Sequence, residues 1–297
     1  MESNMRPTTN VDIDMSLENQ QGILNSIQPL ESVVLVPVNF KEEETSAIAS
    51  SIFYAQSAGL PLIVYHTCVD RNNREQANQN QQDWIRSAEE KMEKCIRLFA
   101  IQLMVSEVPY YTHVDTEGVK QGIERLSLRY NIDLIVTNGQ EESRWFSRSL
   151  NRFSSSVIGF KDIPGLVIPV GAEMTEPKRV VLALNSNERY VHNQFKHLRK
   201  FVKTYNVEVQ VIEVIKGSMV RKWNGTDLKN WLEGISYELQ TIYGEDVAKS
   251  ISDYAEQVSA NLVCVISFAD YPLRALIDPS VSRKIASETK VPLLVLK

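Results

Sequence analysis

The sequence predicts an α/β protein of two tandem units, each a five-stranded parallel sheet with helices on both faces. Short apolar runs alternate with longer segments of helical periodicity, an order typical of parallel sheets joined by right-handed crossovers. The second half repeats the strand pattern of the first, and 297 residues suit about two domains. Hydrophobic residues make up 43% of the chain and charged residues 23%, which excludes a disordered protein.

The first unit is predicted over residues 31–171, after a polar N-terminal arm at residues 1–30. Its first helix ends before Gly59, a common C-cap residue, and Asp115 and Thr116 suit the N-terminal cap of its third helix. The predicted strands are 32–39, 60–67, 108–114, 133–137 and 166–170, and the predicted helices are 43–58, 82–103, 117–130 and 151–160.

The second unit is predicted over residues 178–297, after a linker at 171–177 that has no apolar periodicity. Its predicted strands are 178–185, 208–214, 261–267 and 293–296, and its predicted helices are 188–205, 228–239, 246–258 and 279–289, with a short segment at 240–243.

The repeat changes its spacing once along the chain. Val33 aligns with Val180 and Val64 with Val211, both 147 residues apart. Pro164 and Pro292, at the last strands, are 128 residues apart, so the second copy is 19 residues shorter. The loss lies between the second strand and the third helix. We therefore predict a duplicated unit whose second copy has a shortened middle.

Composition also restricts the partners and the compartment. The net charge of −5 gives no overall basic surface, so we expect no nucleic acid partner. The three cysteines are far apart and form no disulfide framework, which indicates a cytoplasmic location. The N-terminus lacks a signal-peptide pattern, and the apolar runs are shorter than the ~20 residues of a membrane helix. We therefore expect no membrane association.

The strand sequences resemble those of the universal stress protein family in its tandem form. The resemblance covers about residues 31–297 and implies Rossmann-like domains of the adenine nucleotide alpha hydrolase-like type, which usually pair. It also implies a role in the stress response rather than a known turnover reaction. The segments that carry the resemblance are 34–39, 133–136 and 163–168 in the first unit and 181–185, 261–265 and 291–296 in the second.

Nucleotide-binding members of that family carry the motif G-x2-G-x9-G-[ST] after the fourth strand. Glycines let the backbone approach phosphate oxygens, and the amides at the following helix start hold the anion. Here the spacing is kept, but every glycine is replaced in both copies. The four positions hold Asn138, Glu141, Asn151 and Arg152 in the first unit and Ile266, Ala269, Pro279 and Ser280 in the second.

Two of these replacements oppose phosphate binding. Glu141 brings negative charge to the position of the phosphates, and Pro279 lacks an amide, although proline also suits a first helical turn. The family's acidic residue at the end of the first strand is replaced by Asn39 and Asn185. The replacements predict degenerate sites that hold no cofactor. The candidate cofactor contacts are Asn39, Asn138, Glu141, Asn151, Arg152, Asn185, Ala269 and Ser280.

Arginines in the first unit leave another interpretation open. Arg144, Arg148 and Arg152 lie beside Trp145 and Phe146. Arginine on phosphate and an aromatic ring on a base would make a nucleotide clamp. The alternative is a surface loop whose aromatic rings pack on a neighbouring helix or subunit.

Motifs for the common enzyme classes are absent from the sequence. It contains no GxSxG, GxxxxGK[ST] or HExxH pattern. His192 and His197 are five residues apart on a predicted helix and so do not share a face, and Cys68 is the cysteine nearest to His66. We expect neither an enzyme nor a metal site. Trp223 and Trp231 are predicted to pack in the core.

The leading interpretation is therefore a non-enzymatic binding or signalling module of the stress response, with an unidentified protein partner. The alternative is a family member that still binds ATP, or another adenine nucleotide, in one half. The apolar fifth strands, 166–170 and 293–296, would be exposed edges if unpaired. We expect them to pair as a pseudo-dimer within one chain, over a short ladder because Pro169 lacks an amide. A homodimer is a further expected assembly.

Overall fold

The computed structural model describes the chain from Leu30 onward, with gaps. The described residues are 30–38, 45–67, 77–102, 108–115, 118–138, 160, 163–169, 172, 177–186, 190, 194–216, 225–266 and 291–297. The N-terminal arm before residue 30, most of the predicted helix at 151–160 and the predicted helix at 279–289 lie outside them.

Ten strands and six helices occur within the described residues. In chain order they are β1 (Ser32–Val38), α1 (Thr45–Ala58), β2 (Leu62–Thr67), α2 (Ala77–Gln102), β3 (Tyr110–Asp115), α3 (Val119–Ser127), β4 (Asn131–Asn138), β5 (Gly165–Ile168), β6 (Arg179–Ala183), α4 (Gln194–Tyr205), β7 (Glu208–Ile215), α5 (Gly225–Trp231), β8 (Tyr237–Tyr243), α6 (Val247–Gln257), β9 (Leu262–Ile266) and β10 (Leu293–Leu296).

All ten strands form one sheet in the order β3-β2-β1-β4-β5-β10-β9-β6-β7-β8. Strand pairs within each half are parallel, and β5 and β10 pair in antiparallel orientation where the halves meet. The second half therefore has the same strand order as the first, counted from the opposite edge of the sheet. The predicted fold class, two units with five parallel strands each, is confirmed.

The junction between β5 and β10 has a symmetric register. Leu166 lies opposite Leu294, which is its own counterpart in the repeat. Gly165 lies opposite Val295 and Val167 opposite Leu293, so each residue faces the counterpart of the other. This reciprocal pairing is the register of an isologous interface.

Helices cover both faces of the sheet. On one face a single apolar core runs through both units beneath α1, α2, α4 and α5. The other face has two separate cores, one beneath α3 and one beneath α6. The shared core includes Tyr54 of α1 and Tyr205 of α4, whose rings lie 5.1 Å apart and perpendicular, and the Tyr205 hydroxyl donates to the Tyr54 carbonyl oxygen at 3.3 Å.

An ion pair also joins the two halves. Lys200 of α4 contacts the carboxylate of Asp133 on β4. A crevice of about 20 Å³ beside it is lined by Asp133, Leu134, Pro164, His197, Lys200, Phe201, Tyr205 and Leu296. That volume holds roughly one water molecule.

The prediction of a helix over 228–239 is wrong. Helix α5 ends at Trp231, Gly234 adopts φ +78°, and Tyr237–Tyr243 forms strand β8 beside β7. A positive φ is accessible to glycine without strain, so Gly234 can end the helix and turn the chain. β8 is an edge strand with several exposed side chains, which hid the alternation typical of a half-buried strand. The second unit therefore keeps all five strands, and its shortening falls in the connection before β8.

The predicted alignment of Val33 with Val180 is also wrong, by one residue. Val34 lies opposite Leu134 of β4, and Val180 lies opposite Leu262, the counterpart of Leu134 in β9. Val34 and Val180 moreover belong to the same core, whereas Val33 faces the other side of the sheet. A shift of one residue moves every side chain to the opposite face, so burial decides the register. The first strands are thus 146 residues apart.

Candidate functional site

Each half has one point where the strand order reverses. β1 lies between β2 and β4, and β6 lies between β7 and β9. In open α/β sheets, ligands bind in the crevice beyond the carboxyl ends of the strands at this point. Of the predicted contacts and motif positions, the structure describes Asn138 at the end of β4, Ile266 at the end of β9 and Asn185 two residues beyond β6. The others lie outside the described residues: Asn39, Glu141, Asn151, Arg152, Ala269, Pro279 and Ser280. So do Arg144, Arg148, Trp145 and Phe146 of the arginine clamp.

In the first half, a histidine of β2 binds the end of β1. The His66 Nδ1 atom lies 2.8 Å from the Val38 carbonyl oxygen. Since a carbonyl can only accept, Nδ1 carries the proton and donates it. Burial lowers the pKa of His66 below its usual value. Asn138 ends β4, where it lies opposite Ile168 of β5 and is half-buried.

In the second half, a buried glutamate takes the position of that histidine. Glu213 lies on β7 at the repeat counterpart of His66, and only 3% of its surface is exposed. Its Oε1 atom accepts a hydrogen bond of 2.8 Å from the Ser186 amide, just beyond β6. The preceding amide, of Asn185, donates to the Tyr190 hydroxyl at 2.8 Å. Two successive amides at the end of β6 are thus bound by side chains of the same unit.

Two aromatic rings pack against Tyr190 in this place. Tyr190 meets Phe195 and Trp231 edge-on, at centroid distances of 5.7 and 5.2 Å. Phe195 and Trp231 stack at 5.8 Å with an interplanar angle of 5°. Arg199 of α4 donates to the Trp231 carbonyl oxygen at 2.9 Å, which ties the end of α5 to α4. Trp231 therefore packs against the core, and Trp223 lies outside the described residues.

Two polar atoms beside these amides have no hydrogen-bond partner in the part of the chain that the structure describes. They are the Glu213 Oε2 atom and the Ser186 Oγ atom, both buried. A buried polar group without a partner has a free-energy cost and calls for an explanation. Sequence reasoning missed both residues as site residues. The available signal was the acidic residue that interrupts the apolar run of β7.

The arrangement favours hydrogen-bond donors and disfavours phosphate. Glu213 places a carboxylate where the chain would otherwise offer the Ser186 amide to a ligand, and like charges at short range repel. An ionised carboxylate only accepts hydrogen bonds. The described part of the chain contains no group of three or more His, Cys, Asp or Glu residues that could hold a metal ion. Among the described helices, none has the length and apolarity needed to cross a membrane.

No family model matches the sequence, and no curated protein matches it significantly. Solved structures do match. A universal stress protein from Archaeoglobus fulgidus DSM 4304 has a TM-score of 0.64 at 14% identity, covering 89% of this chain and 96% of that one. A functionally unknown protein from Pseudomonas aeruginosa PAO1 has a TM-score of 0.52 at 15% identity, covering 91% and 93%.

A third similar structure is the cytoplasmic domain of a prokaryotic cation chloride cotransporter. Its TM-score is 0.53 at 10% identity, and the match covers 90% of this chain and 95% of that domain. At such low identities the similarities show the fold. They extend over both halves of the chain, so the shared fold is that of the two-unit molecule.

Proposed function

We propose that this chain, which has the fold of a two-unit universal stress protein, is a tandem member of that family that works as a non-enzymatic binding or signalling module. We propose that its crevices have lost the ability to bind nucleotides and that the protein is located in the cytoplasm. The observation that carries the proposal is the buried Glu213 carboxylate on the Ser186 amide in the second half. An amide that already donates to a carboxylate is unavailable to phosphate, and the carboxylate repels it.

The sequence supports the same proposal for the first half. Neither copy of the motif retains a glycine, and Glu141 adds a negative charge in the first copy. Without glycines the backbone cannot approach phosphate oxygens as closely.

Titration with ATP tests this proposal directly. The full-length protein is mixed with labelled ATP with and without Mg²⁺, and mass spectrometry searches gently purified protein for bound nucleotide. We expect no binding tighter than high micromolar and no co-purified nucleotide. Low-micromolar binding that disappears in Arg152→Ala, but not in the control Arg97→Ala on α2, would establish the alternative of one functional nucleotide site.

We further propose that the halves form a pseudo-dimer through β5 and β10. The symmetric register of Leu166 and Leu294 and the shared core beneath α1 and α4 support it. Co-expression of residues 1–171 and 178–297 as separate chains tests this idea. The two chains should co-purify as a one-to-one complex. Two stable monomers that ignore each other would contradict the pseudo-dimer.

A further inference from the structure

We propose that the crevice at the carboxyl ends of β6 and β7 binds a small organic cation bearing N–H donors, an alkylammonium or a guanidinium group, on Glu213 Oε2 and Ser186 Oγ. The inference rests on the proposed function, because it names a ligand class for a crevice that is proposed to bind no nucleotide. It is carried by the unpartnered atoms and their position in the sheet.

The burial of Glu213 indicates a positive ligand. Only 3% of its surface is exposed, and its Oε1 atom receives one neutral amide hydrogen bond. Its Oε2 atom has no hydrogen-bond partner among the described residues. Carboxylates that are buried in proteins are normally paired with a cation or saturated by donors, because desolvation of an isolated charge is costly. A cationic donor at Oε2 completes the pairing.

Ser186 supplies a second acceptor beside the first. Its amide is held 2.8 Å from Glu213 Oε1, so the residue itself lies beside the carboxylate. The Ser186 Oγ atom is buried and has no partner. An ammonium group has three N–H donors and a guanidinium has several, so either can bind both oxygens at once. A metal ion is less suited, because two protein oxygens leave most of its coordination sphere unfilled.

The proposed site belongs to the second half alone, because the equivalent position in the first half carries a different residue. The counterpart of Glu213 is His66, whose Nδ1 atom already donates to the Val38 carbonyl oxygen. No carboxylate is present at that position in the first half. His66 therefore provides a control position. It has the same place in the fold, but its ring donates a hydrogen bond where Glu213 accepts one.

Calorimetric titration of the full-length protein with butane-1,4-diamine tests the proposal. Butane-1,4-diol, of the same length but neutral, is the matched control ligand, and butylguanidine distinguishes the guanidinium from the ammonium source. We expect the diamine or butylguanidine to bind at least tenfold more tightly than the diol, since hydrogen bonds to a buried charge are the strong ones.

Variants then locate the site. Glu213→Gln keeps the Oε1 acceptor for the Ser186 amide and removes the negative charge, so it should fold and bind the cation at least tenfold more weakly. Ser186→Ala should weaken binding several-fold. His66→Gln should leave the affinity within twofold. Far-UV circular dichroism checks that each variant folds, and equal binding of diamine and diol by the unmodified protein would overturn the inference without any variant.

Three results would overturn the inference. They are equal binding of diamine and diol, cation binding unchanged in Glu213→Gln, and no cation binding up to millimolar concentration. The last result would mean that buried water satisfies the two oxygens. These failures leave the proposed function intact if ATP also fails to bind. Low-micromolar ATP binding in the second half would instead contradict the proposed function, regardless of the result with the cations.

Discussion

Replacing Leu166 or Leu294 by alanine perturbs the symmetric centre of the β5–β10 junction. Both side chains are fully buried, belong to the same core and lie directly opposite each other. Leucine-to-alanine changes at such positions cost about 2.7–5.0 kcal/mol. We therefore expect each single variant to lower the free energy of unfolding by about 3 kcal/mol.

The double variant is the sharper measurement. Directly opposed residues of an antiparallel pair have Cβ atoms about 4.5–5.5 Å apart, so the two deletions enlarge one shared cavity. Residues in contact couple by about 0.5–3 kcal/mol. The combined loss of Leu166→Ala and Leu294→Ala should therefore differ from the sum of the single losses by at least about 0.5 kcal/mol.

Urea unfolding followed by circular dichroism and tryptophan fluorescence supplies these energies. Leu62→Ala is the control, because Leu62 is equally buried but lies on β2, three strands from β5. Its loss should add to that of Leu166→Ala. Additive losses for Leu166 and Leu294, with separate unfolding transitions for the two halves, would refute the reasoning.

Three further perturbations test local features. Burial lowers the pKa of His66, so below the usual histidine pKa the unfolded chain binds a proton that the folded chain does not. The free energy of unfolding should therefore fall between pH 7.5 and 5.5, and it should fall less in His66→Gln. An equal fall in both proteins would contradict this. Gly122→Ala places a Cβ against the hydroxyl of the fully buried Tyr65 and should cost about 1–3 kcal/mol in urea unfolding, while Lys120→Ala on the same helix should cost little. Asp246→Ala removes the side chain that caps α6 and should lower the free energy of unfolding by about 1 kcal/mol, whereas an unchanged midpoint would show that the cap contributes nothing.

The sequence predicted the interior of this fold better than its edge. Strands buried on both faces, such as β1 and β9, are continuous apolar runs that few other structures accommodate. β8 has one neighbour, and Leu239 and Tyr243 on it are exposed. Its local pattern was therefore weak, and its identity as a strand depends on pairing with β7, which is a tertiary effect.

The sequence predicted where the candidate site lies in the fold but not which residues form it. The strand order located the crevices, where Asn138 ends β4 and Asn185 lies two residues beyond the end of β6. Glu213 was not predicted as a site residue from the sequence. Its importance lies in the hydrogen bond to the Ser186 amide, which only the relative position of β6 and β7 reveals.

The junction of β5 with β10 has a consequence for how the two halves can differ. When two identical chains meet about a two-fold axis, every amino-acid change appears on both sides at once. In this molecule both sides of the axis are encoded separately, so a histidine can occupy one position while a glutamate occupies its mirror image. Covalent linkage also keeps the partners at high local concentration, which favours their association through the short β5–β10 ladder and the shared core. The two lobes are thereby free to acquire unlike ligands while they keep a common architecture.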